Sequence, residues 1–93
     1  MQFAFDPAKS ASNKLKHGID FEEAQALWQD ENGVTLVSTI GDEERFLYIA
    51  KMPGTSKTWA AIFTHRGEAI RIISCRRARA KEEQTYDQNQ NQS

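Results

Sequence analysis

The chain is short of the residue types that usually announce a chemistry. It has one cysteine, Cys75, so no internal disulfide can form, and a reducing cytoplasm is the expected compartment. Its two histidines, His17 and His65, come with no HExxH, no paired cysteines and no EF-hand loop. No ligand set of recognisable spacing remains, so neither a metal nor another cofactor is expected. Glycine-rich phosphate loops are missing too. No apolar run approaches the roughly 20 residues that cross a bilayer, and no charged leader opens the chain, which excludes a membrane partner from the expectations. Excess charge of one sign is also absent: 12 Lys and Arg stand against 13 Asp and Glu, a formal net charge of -1. That balance by itself argues against a polyanion as partner.

The distribution of charge argues otherwise. Between His65 and Lys81 the bases are Arg66, Arg71, Arg76, Arg77, Arg79 and Lys81, and Glu68 is the lone acid. This is a local footprint for a polyanion inside a neutral chain. With 93 residues, 39% hydrophobic and 27% charged, the chain suits one small soluble domain. The domain is expected over residues 1–86, with 87–93 as a disordered polar tail.

"MQFAFD" alternates like a short strand. Asp6 before Pro7 reads as an N-cap with proline at the first helical position, and Ala8, Ala11 and Leu15 recur at helical spacing, so a helix is expected from Pro7 to about His17, stopped by Gly18. "IDFEEAQALW" restarts a helix with Asp20 and Glu23 as a capping box and Phe21, Ala24, Leu27 and Trp28 as core stripe. From Gly33 the period becomes two, and "VTLVS", "RFLYIAKM", "TWAAIFT" and "AIRIIS" are strand candidates separated by "TIGDEE", "PGTSK" and "HRGE". A final helix, "RARAKEEQTY", ends at Tyr86. The class is α+β: an N-terminal strand, two helices, a four-stranded antiparallel meander sheet and a C-terminal helix.

Arg71 is the leading functional candidate. Strand alternation gives it one face with Ala69, Ile73 and Cys75, where a guanidinium without partner or cleft is costly to desolvate. Arg76 and Arg77 fall at the strand-to-helix corner, where opening helix amides already favour an anion, so a phosphate site is expected there. Glu82 and Tyr86 lie four apart on the last helix and could bring a carboxylate base and a phenol donor to that site; an ordinary solvated glutamate and a tyrosine covering the core edge read equally well. Arg79 and Lys81 suit a solvated helix face. His17 is explained by helix capping, His65 by an exposed turn, and Cys75 by burial at a strand end.

Two stretches together carry a family pattern: "FDPAKSASNKLKHGIDFEEA", which with the preceding Phe3 and Ala4 fits FxxDxxKxxxNxxKHGxxFxEA, and "ERFLYIAKM" leading to "THRGEAIRIISCRRARAKEEQTY". From about Phe3 to Tyr86 the chain resembles the BrnT family of type II toxins, small ribonucleases with a RelE/ParE-like fold. Cys75 stands where that family usually has alanine. The resemblance implies RNA cleavage without a metal, and neutralisation by a BrnA-type ribbon-helix-helix antitoxin. It also brings Lys16 and His17, the Lys-His of "KHG", into consideration as functional residues.

On that footing the expected chemistry is endoribonucleolytic transesterification that stops translation and growth. Arg71 and Arg76 would hold the phosphorane, Glu82 or His17 would take the 2′-OH proton, and Tyr86 or Lys16 would donate one. Arg45, Arg66, Arg77, Arg79 and Lys81 are the candidates for gripping the flanking RNA. A homodimer inside the toxin-antitoxin complex is compatible with the chain, although no residue fixes it. The alternatives are a non-catalytic RNA- or antitoxin-binding module and a gyrase inhibitor of ParE type.

Overall fold

The computed structural model describes residues 1–40 and 43–90. Strand β1 (Gln2–Ala4) leads into helix α1 (Pro7–His17). Asp6 caps α1 by accepting the Ala8 amide at 2.9 Å, and Gly18, at φ 78°, ends it in the left-handed region, where a residue without Cβ is unstrained. Helix α2 (Phe21–Ala24) opens on a complete capping box: the Glu23 amide donates to Asp20 Oδ1 at 2.7 Å, and the Asp20 amide donates to Glu23 Oε1 at 3.0 Å.

The expected long second helix is cut short. After Ala24 the chain tightens into a 3-10 segment, Gln25–Gln29. The Tyr48 hydroxyl donates toward the Leu27 and Asp30 carbonyls at 3.1 and 3.3 Å, so its end is tied to the sheet. Phe21, Ala24 and Leu27 are buried as the stripe required, and Trp28 stacks on Tyr48 at 4.6 Å.

The sheet corrects the four-stranded antiparallel expectation in detail. Strands β2 (Val34–Ile40), β3 (Glu43–Lys51), β4 (Thr58–Arg66) and β5 (Ala69–Arg77) do form an antiparallel meander, but β1 adds a fifth strand, parallel to β5, in the order β1-β5-β4-β3-β2. Phe3 fixes that docking by setting its ring edge-on to Trp28 at 5.2 Å. "TIGDEE" is mostly strand; residues 41 and 42 lie outside the described residues.

One irregularity decides what each face carries. Phe63 pairs with Ile72 and Ile62 with Ser74, so Ile73 is an extra residue on β5, a bulge that reverses the alternation beyond it. Ile70 and Ile72 before the bulge and Cys75 after it all enter the core beneath α1 and α2, with Tyr48, Ala61 and Phe63. Arg71 therefore does not share a face with Cys75, as simple alternation predicted. It stands on the opposite face, in register with Thr64.

The packing of α1 also departs from expectation. Ala8 and Ala11 are exposed and Leu15 is 89% exposed, while Ser10 and Asn13 are buried. This helix packs against backbone. Ser10 Oγ accepts the Phe21 amide at 2.9 Å; Asn13 Nδ2 donates to the Ile19 and Cys75 carbonyls, both at 2.8 Å, and Asn13 Oδ1 accepts the Cys75 amide at 3.3 Å. Because β1 stops opposite Arg71, the outer edge of β5 at Cys75 lacks a strand, and the Asn13 amide takes its place.

Helix α3 (Ala80–Gln90) runs past the expected stop at Tyr86, since Gln90 Nε2 donates to the Asn32 and Tyr86 carbonyls at 3.1 Å and anchors the last turn. Of the expected tail, residues 91–93 lie outside the described residues. Among the described residues no helix is long and apolar enough to cross a membrane.

Candidate functional site

The sheet face opposite α1 and α2 gathers the basic side chains. Strand alternation and register put Arg71, Thr64 and Arg66 on it together, with Arg45 on the next strand. These residues and Lys9 of α1 line a groove of about 480 Å³. Arg45 is partly neutralised by Glu43, Nη2 to Oε2 at 3.0 Å. Arg71 is half-buried and has no ion-pair partner among the described residues. A guanidinium without an ion-pair partner at the wall of an open groove has the chemistry to take an anion, although Glu43 and Glu44 also line this groove. His65 reaches the rim, but its own strand position faces away from Arg71, and its ring packs edge-on against Phe46 and Phe63 at 5.1 and 5.7 Å.

A smaller cavity of about 200 Å³ lies between α1 and β5, lined by Lys9, Ser12, Lys16, His17, Ile73 and Ser74 among others. Lys16 and His17, brought in through "KHG", are thus placed against the second half of β5. The Asn13 clamp sets the spacing between helix and strand.

The strand-to-helix corner is a separate assembly. Arg76 grips Glu82 with both ends of its guanidinium, Nη1 to Oε1 at 2.7 Å and Nη2 to Oε2 at 2.9 Å, and the Arg79 amide also donates to Glu82 Oε1 at 2.7 Å. These bonds, above all those from Arg76, hold the Glu82 carboxyl below the ordinary carboxylate range and raise the Arg76 guanidinium correspondingly. The corner carries a glutamate where a phosphate was expected. Arg71 and Arg76 share a face, yet their β4 partners Thr64 and Ala60 are four residues apart, roughly 13 Å along the strand by the usual rise.

Tyr86 is buried against yet another partner. Its hydroxyl donates to Asp30 Oδ2 at 2.7 Å, the same oxygen that accepts the Lys51 amide at 2.9 Å. Burial first, and the Asp30 carboxylate second, push the phenol above its ordinary pKa. Tyr86 and Glu82 thus lie on one helix without converging on one site.

Arg77 projects to the helix side of the sheet, over the Trp59 ring at 5.5 Å, with Nε donating to the Thr58 carbonyl at 3.3 Å. It stands across the sheet from Arg71. Arg79 and Lys81 are exposed on the first turn of α3 and its approach. Cys75 is fully buried, and burial pushes its thiol up to about 12, which suits a packing residue and not a nucleophile.

Lys9 was missed from the sequence, although a signal was there. Lys9, Asn13 and Lys16 repeat at i, i+4 and i+7, which places them along one side of α1. Among the described residues no three His, Cys, Asp or Glu side chains form a group able to hold a metal.

Comparison with known proteins adds to this picture. The model of a family described as the ribonuclease toxin, BrnT, of type II toxin-antitoxin systems matches residues 5–82. The crystal structure of the Brucella abortus ribonuclease toxin, BrnT, is similar to this chain with a TM-score of 0.63 and 28% sequence identity, over 85% of this chain and 97% of that one. No curated protein matches.

Proposed function

The chain belongs to the family of BrnT ribonuclease toxins of type II toxin-antitoxin systems, and from that premise we propose that it cleaves RNA by metal-independent transesterification and so inhibits translation and growth. The observation that carries this reading is Arg71, a half-buried guanidinium without an ion-pair partner among the described residues, on the wall of a groove where Lys9, Arg45 and Arg66 outnumber the acids Glu43 and Glu44.

In the proposed step a base removes the 2′-OH proton, the oxygen attacks the adjacent phosphorus, and the bond to the 5′ oxygen breaks as that oxygen gains a proton. A 2′,3′-cyclic phosphate and a 5′-hydroxyl result. Arg71 neutralises the phosphorane oxygens. His17 takes the proton and Lys16 supplies one, since imidazole is the side chain suited to proton exchange near neutrality and both residues line the cavity beside β5. Glu82 and Tyr86, the other candidates for those roles, are engaged by Arg76 and Asp30 and serve the fold. Arg45 and Arg66 grip flanking phosphates. Arg77, Arg79 and Lys81 stand outside the Arg71 groove and contribute less.

A type II system supplies an antitoxin. The proposed partner is a ribbon-helix-helix protein of BrnA type that lays acidic and apolar residues across the arginine groove, with a homodimer of the toxin inside that complex.

The test is induction of the wild-type chain and of Arg71→Ala in a bacterium lacking the antitoxin, following growth, total RNA integrity and DNA supercoiling. Arrest with RNA breakdown and unchanged supercoiling, lost in a folded Arg71→Ala, is the expected result. A folded Arg71→Ala that stays fully toxic removes Arg71 from the site. Unimpaired growth with folded wild-type protein favours a non-catalytic binding module, and arrest through altered supercoiling a gyrase inhibitor.

A further inference from the structure

Lys9 lines both the arginine groove and the cavity that holds Lys16 and His17, and Ile73 at the β5 bulge is the other residue common to both. The two cavities are therefore neighbours, and Lys9 stands between them. Its position is not left to chance. Asn13, one helical turn on, bonds both backbone groups of Cys75 and so pins this side of α1 to the edge of β5. Lys9 lies one turn before that clamp and Lys16 one turn after it. Lys9 is exposed and has no ion-pair partner among the described residues, whereas Lys14, on the same helix, is paired with Glu23 at 2.7 Å.

From this geometry we propose that Lys9 binds the RNA phosphate next to the scissile one held by Arg71, on the side toward Lys16 and His17, so that a single strand of RNA runs along both cavities. The proposal rests on the ribonuclease reading above and extends it with a residue and a path. A lone strand suits the track better than a duplex, since the cavity between helix and strand measures only about 200 Å³. An ammonium on a flexible stem suits this junction, because it can follow the backbone without fixing a base.

The test measures binding of a fluorescein-labelled, mixed-sequence single-stranded RNA bearing 2′-O-methyl groups, which cannot be cut by attack of the 2′ oxygen. Wild type, Lys9→Ala, Lys9→Arg, Arg71→Ala and, as a remote control, Lys57→Ala are compared across a salt series. Loss of one phosphate contact lowers the slope of log affinity against log salt by about 0.7 for a single strand. Lys9→Ala should show that drop and bind roughly three- to tenfold more weakly. Lys9→Arg should restore both, and Lys57→Ala should match wild type. If Arg71→Ala lowers the slope and Lys9→Ala does not, the threading path is overturned while the RNA reading stands. If wild type does not bind and Arg71→Ala changes nothing, both fall. Equal competition by an RNA duplex overturns the single-strand assignment.

Discussion

Arg76 and Glu82 form a two-pronged ion pair that fastens the end of β5 to the first turn of α3, with side chains only 19% and 14% exposed. Glu82 also accepts the Arg79 amide that opens the helix, so one carboxylate closes both the corner and the cap. Glu82→Gln keeps the shape and removes the charge. It should cost roughly 1 to 3 kcal/mol in urea unfolding at pH 7. RNA cleavage well below the melting temperature should survive; its complete loss in a folded Glu82→Gln would restore Glu82 as the general base.

The same pair sets an acid limit. A carboxyl held below its ordinary pKa stabilises the fold above that pKa and ceases to do so as pH falls through the folded value. For Glu82 the loss begins near pH 4.5 and continues below it. Urea midpoints of wild type and Glu82→Gln should converge as pH is lowered through that region. Parallel curves would contradict this assignment.

Asn13 predicts an ordering of two substitutions. Asn13→Ala leaves the Cys75 amide and carbonyl and the Ile19 carbonyl without their side-chain partner, at roughly 2 to 4 kcal/mol. Asn13→Asp is nearly the same size but turns a donor into an acceptor facing two carbonyls. The aspartate should be at least as destabilising as the alanine by denaturant midpoint. An aspartate variant as stable as wild type would show that the donor contacts do not hold α1 to β5.

Tyr86→Phe removes the hydrogen bond to Asp30 and nothing from the arginine groove. It should lose about 1 to 2 kcal/mol of stability and retain cleavage. The phenol's raised pKa adds a sign: its contribution is full below about pH 10, where the unfolded chain begins to ionise, and is lost as pH rises through the folded value. Wild type should thus be more alkali-sensitive than Tyr86→Phe in urea unfolding. Abolished RNA cleavage in a folded Tyr86→Phe would return Tyr86 to the chemistry.

The helix starts, the stop at Gly18 and the strand stretches were legible because their causes are local. Asp6 with Pro7 and Asp20 with Glu23 act within three residues, and period-two burial needs only one covered face. The basic block from Arg66 to Lys81 was visible for the same reason. What could not be read was how it divides. Arg71 lies in a groove, Arg76 is bound by a glutamate, and Arg77 crosses to an indole on the other face.

That division belongs to tertiary structure. The sequence by itself determined where elements begin, their type and the supply of cations, since capping and alternation are interactions between near neighbours. The parallel docking of β1 joins residues 67 positions apart and the Asn13 clamp joins residues 62 apart, while the bulge at Ile73 appears only in the pairing of β5 with β4. Only the folded register decides such pairings, because one extra residue in a strand exchanges its faces. The same register brings Arg71 to one cavity and sets it beside a second that holds His17, with Lys9 lining both.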